Sequence, residues 1–260
     1  MGDLPYNQSA QLIEDLTGGL SLPQALGYCR VVPGPHVTDG VAGEPGVAVG
    51  VQAVYDAVAS AYHDQLGNEL AGKPLDRALL EAFAELAGAG AIADVGCGPG
   101  HVTQFLAARN VRVIGFDISP GMLAVARKHA PALAFAAGSM LELPAADAAW
   151  SGIVALYSII HLAASERARA CREFARVVRP GGWLLAAFHI DSADFAAGDV
   201  NHLTTWFGQP VELDGYFLEP ADVAHDVHAA GFAVTTTIIR SPQPDIEYPS
   251  RRCYLLAQRH

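Results

Sequence analysis

The first regular rhythm along the chain is helical. Apolar side chains recur at Val51, Val54, Tyr55, Val58 and Tyr62, a spacing that predicts a helix over Val51 to Leu66 with two tyrosines on its apolar stripe. A second helix is expected over Pro74 to Leu86. From Ile92 the pattern shortens. Compact apolar runs at Ile92 to Val95, Arg112 to Asp117, Ala134 to Ala137, Trp150 to Leu156 and Trp183 to His189 read as strands. Gly100 to Arg109, Ser119 to about His129 and Ser165 to Val178 read as helices between them. Ser119-Pro120 supplies an N-cap and a first-turn proline for the second of these helices. Strands and helices in alternation predict an α/β fold, a doubly wound and mostly parallel sheet with helices on both faces. A closing helix, Glu219 to Ala230, precedes two strands, Phe232 to Arg240 and Cys253 to Gln258, which are expected to pair across a long loop and bring the sheet to seven strands.

Two stretches fall outside this alternation. Residues 1–50 hold a short amphipathic piece, Gln8 to Leu16, and the turn-rich PGPHVTDGVAGEPG, Pro33 to Gly46, which together suggest a linker or an arm lying on the surface. Residues 190–218 follow the fifth strand at the carboxyl edge of the sheet and carry Phe195, Trp206, Phe207, Tyr216 and Phe217. A long aromatic connection there is expected to act as a lid. The chain therefore divides into an arm over 1–50 and one domain over 51–260 with a lid insertion at 190–218.

Composition narrows the classes of function. With 260 residues, 51% of them hydrophobic and 17% charged, the chain can bury a substantial core. A net charge of −11 and a pI near 5.2, with no basic stripe, argue against nucleic acid as a partner. No run is long and apolar enough for a membrane span, and MGDLPYNQSA lacks the basic start and apolar centre of a secretory signal, so a cytoplasmic protein is expected. Cys29, Cys97, Cys171 and Cys253 are too dispersed for a disulfide framework or a zinc cluster. The expected partner is a small molecule, and a homodimer is compatible with the composition.

The chemistry concentrates in DVGCGPGH, Asp94 to His101, where a strand must turn sharply into a helix. Glycines at 96, 98 and 100 allow positive φ and close approach of backbone to a ligand. A dinucleotide site would want the third glycine where His101 stands, and a Tyr-x-x-x-Lys oxidoreductase would want tyrosine four residues before Lys73 or Lys128, where Glu69 and Ala124 stand instead. Asp117 ends the second strand, where a carboxylate can accept hydrogen bonds from a ribose diol, although an aspartate at a strand end is also an ordinary structural device.

The combination of DVGCGPG with VIGFDIS, GSMLELP and RVVRPGGWLL resembles the class I S-adenosylmethionine-dependent methyltransferases, over roughly Val51 to His189. The resemblance implies a Rossmann-like fold that binds S-adenosylmethionine and releases S-adenosylhomocysteine. It carries Asp94, Gly96, Cys97 and Gly98 to the methionine and ribose portions, Asp117 to the ribose hydroxyls, and Ile118 and Met122 to the flanks of the adenine. Ser139 and Met140 come to the adenine rim, although many members have aspartate where this chain has Ser139. Leu156 and Tyr157 come to the methionine end. Tyr55, Asp56, Ala59 and Tyr62 match a helix that closes over the cofactor in members of the family; two core aromatics are the plainer alternative.

Methyl transfer from a sulfonium to an oxygen, nitrogen or carbon nucleophile needs alignment and sometimes a base, but no metal. His161, after the fourth strand, and His189, at the end of the fifth, are the candidate bases, and both are also candidates for pocket walls. His189 with Asp191 is one short pair and no metal site is expected from it. His225 and His228 lie opposite the buried stripe of Val223, Val227 and Ala230 and are expected on a solvated face. The substrate is expected to be a small, partly apolar molecule of secondary metabolism; the alternative is a protein of the same fold that binds S-adenosylmethionine without transferring methyl, a cyclase or a binding module.

Overall fold

The computed structural model describes residues 50–260, together with Glu14, Asp15, Thr17 and Gly18. The rest of the expected arm, with Gln8 to Leu16 in part and Pro33 to Gly46, lies outside the described residues. In chain order the elements are α1 (Val51–Leu66), a 3-10 turn (Glu69–Gly72), α2 (Pro74–Ala87), β1 (Ile92–Val95), α3 (His101–Ala107), β2 (Val113–Asp117), α4 (Pro120–His129) and β3 (Ala134–Ala137). They continue with β4 (Trp150–Leu156), a 3-10 turn (Ile159–His161), α5 (Ala164–Val177), β5 (Val178–Ser192), β6 (Val200–Trp206), β7 (Gln209–Tyr216), α6 (Pro220–Ala229), β8 (Phe232–Arg240) and β9 (Ser250–Arg259).

Seven strands form one sheet in the order β3-β2-β1-β4-β5-β9-β8, parallel from β3 through β5 and antiparallel at β9 and β8. The alternation along β1 shows how the layers are assigned. Ile92 packs with Leu80 and Phe83 of α2 and Leu106 of α3 on one face, while Ala93 and Val95 pack with Phe174 of α5 and Val223 of α6 on the other. Phe83 and Trp150 are fully buried, and removing either ring would cost about 3–5 kcal/mol. No helix among the described residues is long and apolar enough to cross a membrane.

Three elements differ from the sequence expectation. β5 starts at Val178, which pairs with Trp150; the exposed Arg179, Pro180 and Gly181 then bulge out before pairing resumes at Trp183. β5 also runs on to Ser192, into the expected lid. Within residues 190–218, β6 and β7 form a separate antiparallel hairpin turned by Phe207-Gly208, both at positive φ. Its Val211 and Leu213 bury themselves against Val54, Val58 and Ala59 of α1. The hairpin thus packs over the carboxyl edge of the sheet, together with α1.

Candidate active site

The glycine turn leaves β1 and enters α3 with Gly96, Gly98 and Gly100 all at positive φ. Gly96 is required on two counts: φ is +77°, and an added Cβ would lie 2.2 Å from the Cβ of Ser158. The Gly98 N–H donates to Asp117 Oδ2 at 2.8 Å and the Ser119 N–H to Oδ1 at 2.8 Å, so the carboxylate is aimed by backbone and keeps lone pairs open. Asp94, beneath the turn, accepts from the Thr103 hydroxyl at 2.6 Å. Burial pushes both aspartates up to about 6, outweighing the hydrogen bonds that favour their ionised forms. Asp56 holds α1 in place from outside the cavity, accepting from the Ser119 hydroxyl at 2.6 Å and the Gly121 N–H at 2.7 Å.

These groups line a cavity of about 270 Å³ at the carboxyl edge of β1, β2 and β4. Tyr55, Tyr62, Asp94, Gly96, Cys97, Gly98, Asp117, Ile118, Ser139, Met140, Leu156 and Tyr157 all contribute to its wall, and so does His161. Met122 does not. Its side chain is fully buried among Val54, Val58 and the hairpin's Val211 and Leu213, because the helical turn after Ser119 points it beneath α1, away from the cavity. Its part in the cap is its N–H, which donates to Ser119 Oγ at 3.0 Å.

A second cavity of about 230 Å³ adjoins the first, and Tyr55, Tyr62, Glu69, Tyr157 and His161 line both. Its further walls include His189, Trp206, Tyr216, Phe217 and Tyr248. His161 sits at the junction. Its Nδ1 lies 2.7 Å from the Asp214 carbonyl, which can only accept, so Nδ1 carries the proton. Nε2 then accepts from the Tyr55 hydroxyl at 2.7 Å. Burial holds the imidazole below its ordinary range, although the Asp214 carbonyl pulls the other way, and burial holds the Tyr55 phenol well above its own. His189 stacks on Tyr157 at 5.1 Å and bonds Ser250 Oγ through Nδ1 at 2.6 Å. Burial, with Arg252 and Lys73 nearby, lowers it to about 3, which makes it a neutral wall of the cavity at physiological pH. Asp191 is taken up by Arg251 at 2.8 Å. His225 and His228 are exposed, opposite buried Val223 and Val227.

The floor beneath the second cavity was not legible in the sequence. Lys73 meets Glu69 at 2.7 Å and Glu247 at 3.2 Å; Arg240 meets Asp76 at 2.9 Å and also Glu247; Arg252 meets Glu247 at 3.2 Å. Although burial pushes both carboxyls up, His101 and Lys73 bring Glu69 down to about 2, and Arg240, the Gln243 N–H, Arg252 and Lys73 bring Glu247 to about 2. Tyr254 donates to Asp76 at 2.8 Å and bonds the Tyr157 hydroxyl at 2.8 Å. Tyr157 holds this position with φ at +55°, a conformation costing a non-glycine residue about 1–3 kcal/mol and stored at functional sites. The i,i+4 spacing of Glu69 and Lys73 was the one local signal available.

Residues 92–182 match the family model of a methyltransferase domain. The chain is 34% identical over 135 residues to malonyl-[acyl-carrier protein] O-methyltransferase of Serratia marcescens, covering 50% of this chain and 51% of that one. It is 31% identical over 140 residues to demethylmenaquinone methyltransferase of Beutenbergia cavernae, covering 53% and 57%. The chain thus spans about half the length of the curated relatives it matches. Among solved structures, an S-adenosylmethionine-dependent methyltransferase from Methanosarcina mazei superposes with a TM-score of 0.58 at 16% identity, over 65% of this chain and 92% of that one, a likeness of fold alone. The matched domain, the strand order and the glycine turn facing Asp117 together show that residues 92–182 form a methyltransferase domain on a Rossmann-like sheet.

Proposed function

We propose that the chain transfers a methyl group from S-adenosylmethionine to an oxygen, nitrogen or carbon nucleophile of a small, partly apolar molecule, as a tailoring step in secondary metabolism. One observation carries this reading: a cavity lined by the glycine turn and Asp117 adjoins an aromatic cavity, with Tyr55, Tyr62, Glu69, Tyr157 and His161 forming the wall they share. The first cavity fits the cofactor by its donor set. Gly98, with open space where a Cβ would stand, leaves room for close backbone approach, the open lone pairs of Asp117 suit a ribose diol, and Asp94 and Asp117 provide negative charge for a cationic ligand. When bound, S-adenosylmethionine supplies an electrophilic methyl on a sulfonium.

The remaining work falls to the chain's own groups. Tyr62, Trp206 and Tyr55 pack edge to face at 5.7 and 5.3 Å and close the junction, so α1 and the hairpin act together as the lid. An acceptor hydroxyl or ammonium at the junction can donate to Tyr55 Oη, whose own proton already points to His161 Nε2. The acceptor's proton then passes to Tyr55 while the original tyrosine proton passes to His161, and the Asp214 carbonyl stabilises the imidazolium from the other side. The two relatives' names point to unlike acceptors, so the identity of the acceptor rests on the second cavity rather than on them.

Calorimetry tests the reading. S-adenosylhomocysteine should bind, and Asp117→Ala should weaken it by about 1.5–3 kcal/mol, the worth of a charge-assisted hydrogen bond, or about ten- to a hundredfold. Equal binding by the variant would remove Asp117 from the site, and tighter binding of NAD would overturn the whole assignment.

A further inference from the structure

We infer that the second cavity takes an uncharged, flat aromatic compound that presents a hydroxyl to Tyr55. The inference rests on the methyl-transfer reading for the fate of that hydroxyl, but its recognition rests on the cavity alone. Two groups of rings bound the space. Trp206 of the hairpin stands 5.3 Å from Tyr55 on one side; on the other, His189 stacks on Tyr157 at 5.1 Å and lies 6.0 Å from Tyr248. A flat aromatic ligand between such groups gains ring contacts with both, beyond the area it buries.

The floor argues against a charged ligand. Its two cations, Lys73 and Arg252, are joined to its two carboxylates, Glu69 and Glu247, so the lining carries no net charge to offer an ion. Lys73, Arg252 and Glu247 are almost wholly buried, with side chains 2%, 2% and 1% exposed. A carboxylate or ammonium entering there would lose its water without gaining an unpaired counter-charge. The two histidines add no charge either. His161 is committed to a neutral tautomer by its two partners, and burial beside Arg252 and Lys73 keeps His189 deprotonated. A phenol, neutral on arrival, needs only a hydrogen-bond acceptor, and Tyr55 Oη has lone pairs open.

The test is calorimetric titration at pH 7.5 of three probes of one shape, 2-naphthol, 2-naphthoate and 2-naphthylmethylammonium, into the full chain with and without S-adenosylhomocysteine. 2-Naphthol should bind at least tenfold more tightly than either ion. Trp206→Ala and Tyr248→Ala, one from each ring group, should each weaken 2-naphthol by about three- to tenfold; Tyr248 is 45% exposed, so its variant should fold. Either ion binding as tightly as 2-naphthol, no binding by any probe, or unchanged binding in both variants overturns the inference. Binding of 2-naphthol without methylation when S-adenosylmethionine is supplied upholds the inference and counts against the transfer reading, whereas failure of S-adenosylhomocysteine to bind strikes only the latter.

Discussion

The carboxylates of the two cavities are held in opposite ways. Asp94 and Asp117, in the first, are buried with hydrogen-bond donors but, among the described residues, no salt bridge, and burial raises both to about 6. Glu69, in the wall the cavities share, and Glu247, at the floor of the second, are also largely enclosed, yet their cationic neighbours bring both down to about 2. The first cavity is therefore strained toward a ligand: its negative charge costs folding energy that a cationic, hydroxyl-bearing cofactor can relieve. In the second, Glu69 and Glu247 already have cationic partners. Its charges hold strands and loops together, and its open surface is left to rings and hydrogen bonds. A site that binds by charge leaves charge uncompensated, and a site that binds by shape neutralises what it has.

The sharpest test lies where the two cavities meet. His161→Ala should lower kcat by about 10²- to 10⁴-fold, the range for general base catalysis, with cofactor affinity nearly unchanged. Tyr55→Phe should reproduce most of that loss, because it removes the hydroxyl between acceptor and imidazole. Parallel loss of cofactor binding in His161→Ala would make the histidine a cofactor contact and not a base.

The contrast in charge also has a stability counterpart. Asp76→Asn takes one of two carboxylate partners from buried Arg240 and leaves it Glu247, so the cost in denaturant unfolding should stay at or below about 3 kcal/mol, the lower end for a broken buried pair. Asp117→Asn should cost far less or stabilise the cofactor-free chain, since it removes an unpaired buried charge. Equal destabilisation by the two would erase the distinction between ion-paired and unpaired buried carboxylates.

The smallest effect is in pH. Because Asp94 and Asp117 rise from 3.8 to about 6 on folding, their contribution to stability is complete below 3.8 and is lost as pH climbs through 6. Glu69 and Glu247 behave inversely, stabilising above 4.5 and losing that contribution as pH falls through about 2. The melting temperature of the cofactor-free chain should therefore gain a contribution from the aspartates between pH 7.5 and 5, while S-adenosylhomocysteine binding weakens severalfold over the same range. A flat affinity across that range in calorimetry would show that the ionised form of Asp117 does not matter to binding.

Most of the first cavity was legible because it is built from short contiguous pieces. The glycine turn, Asp117 and the segment Ser139-Met140 each follow a strand end, and parallel pairing brings strand ends to one edge. Met122 was the exception: the helical turn after Ser119 sets its direction, but that α1 and the hairpin cover that side of the helix is recorded by no local spacing. The hairpin itself was legible only as an aromatic break in the alternation. The second cavity's floor was invisible for a further reason. Arg240 and Arg252 face each other across β8 and β9, a like-charge pairing that is unfavourable until Glu247, in the connection between those strands, reaches both.

The sequence by itself determined the α/β alternation, the positive-φ turn and the carboxylate that faces it, because these depend on period, on the steric freedom of glycine and on neighbours a few residues apart. Tertiary structure decided what the histidines could do. His161 acquired its tautomer from a carbonyl 53 residues away and its partner from a tyrosine 106 residues away, and His189 lost its basicity to burial beside Arg252 and Lys73. A proton's affinity for a ring depends on the solvent and charge around it, and only the folded chain sets those.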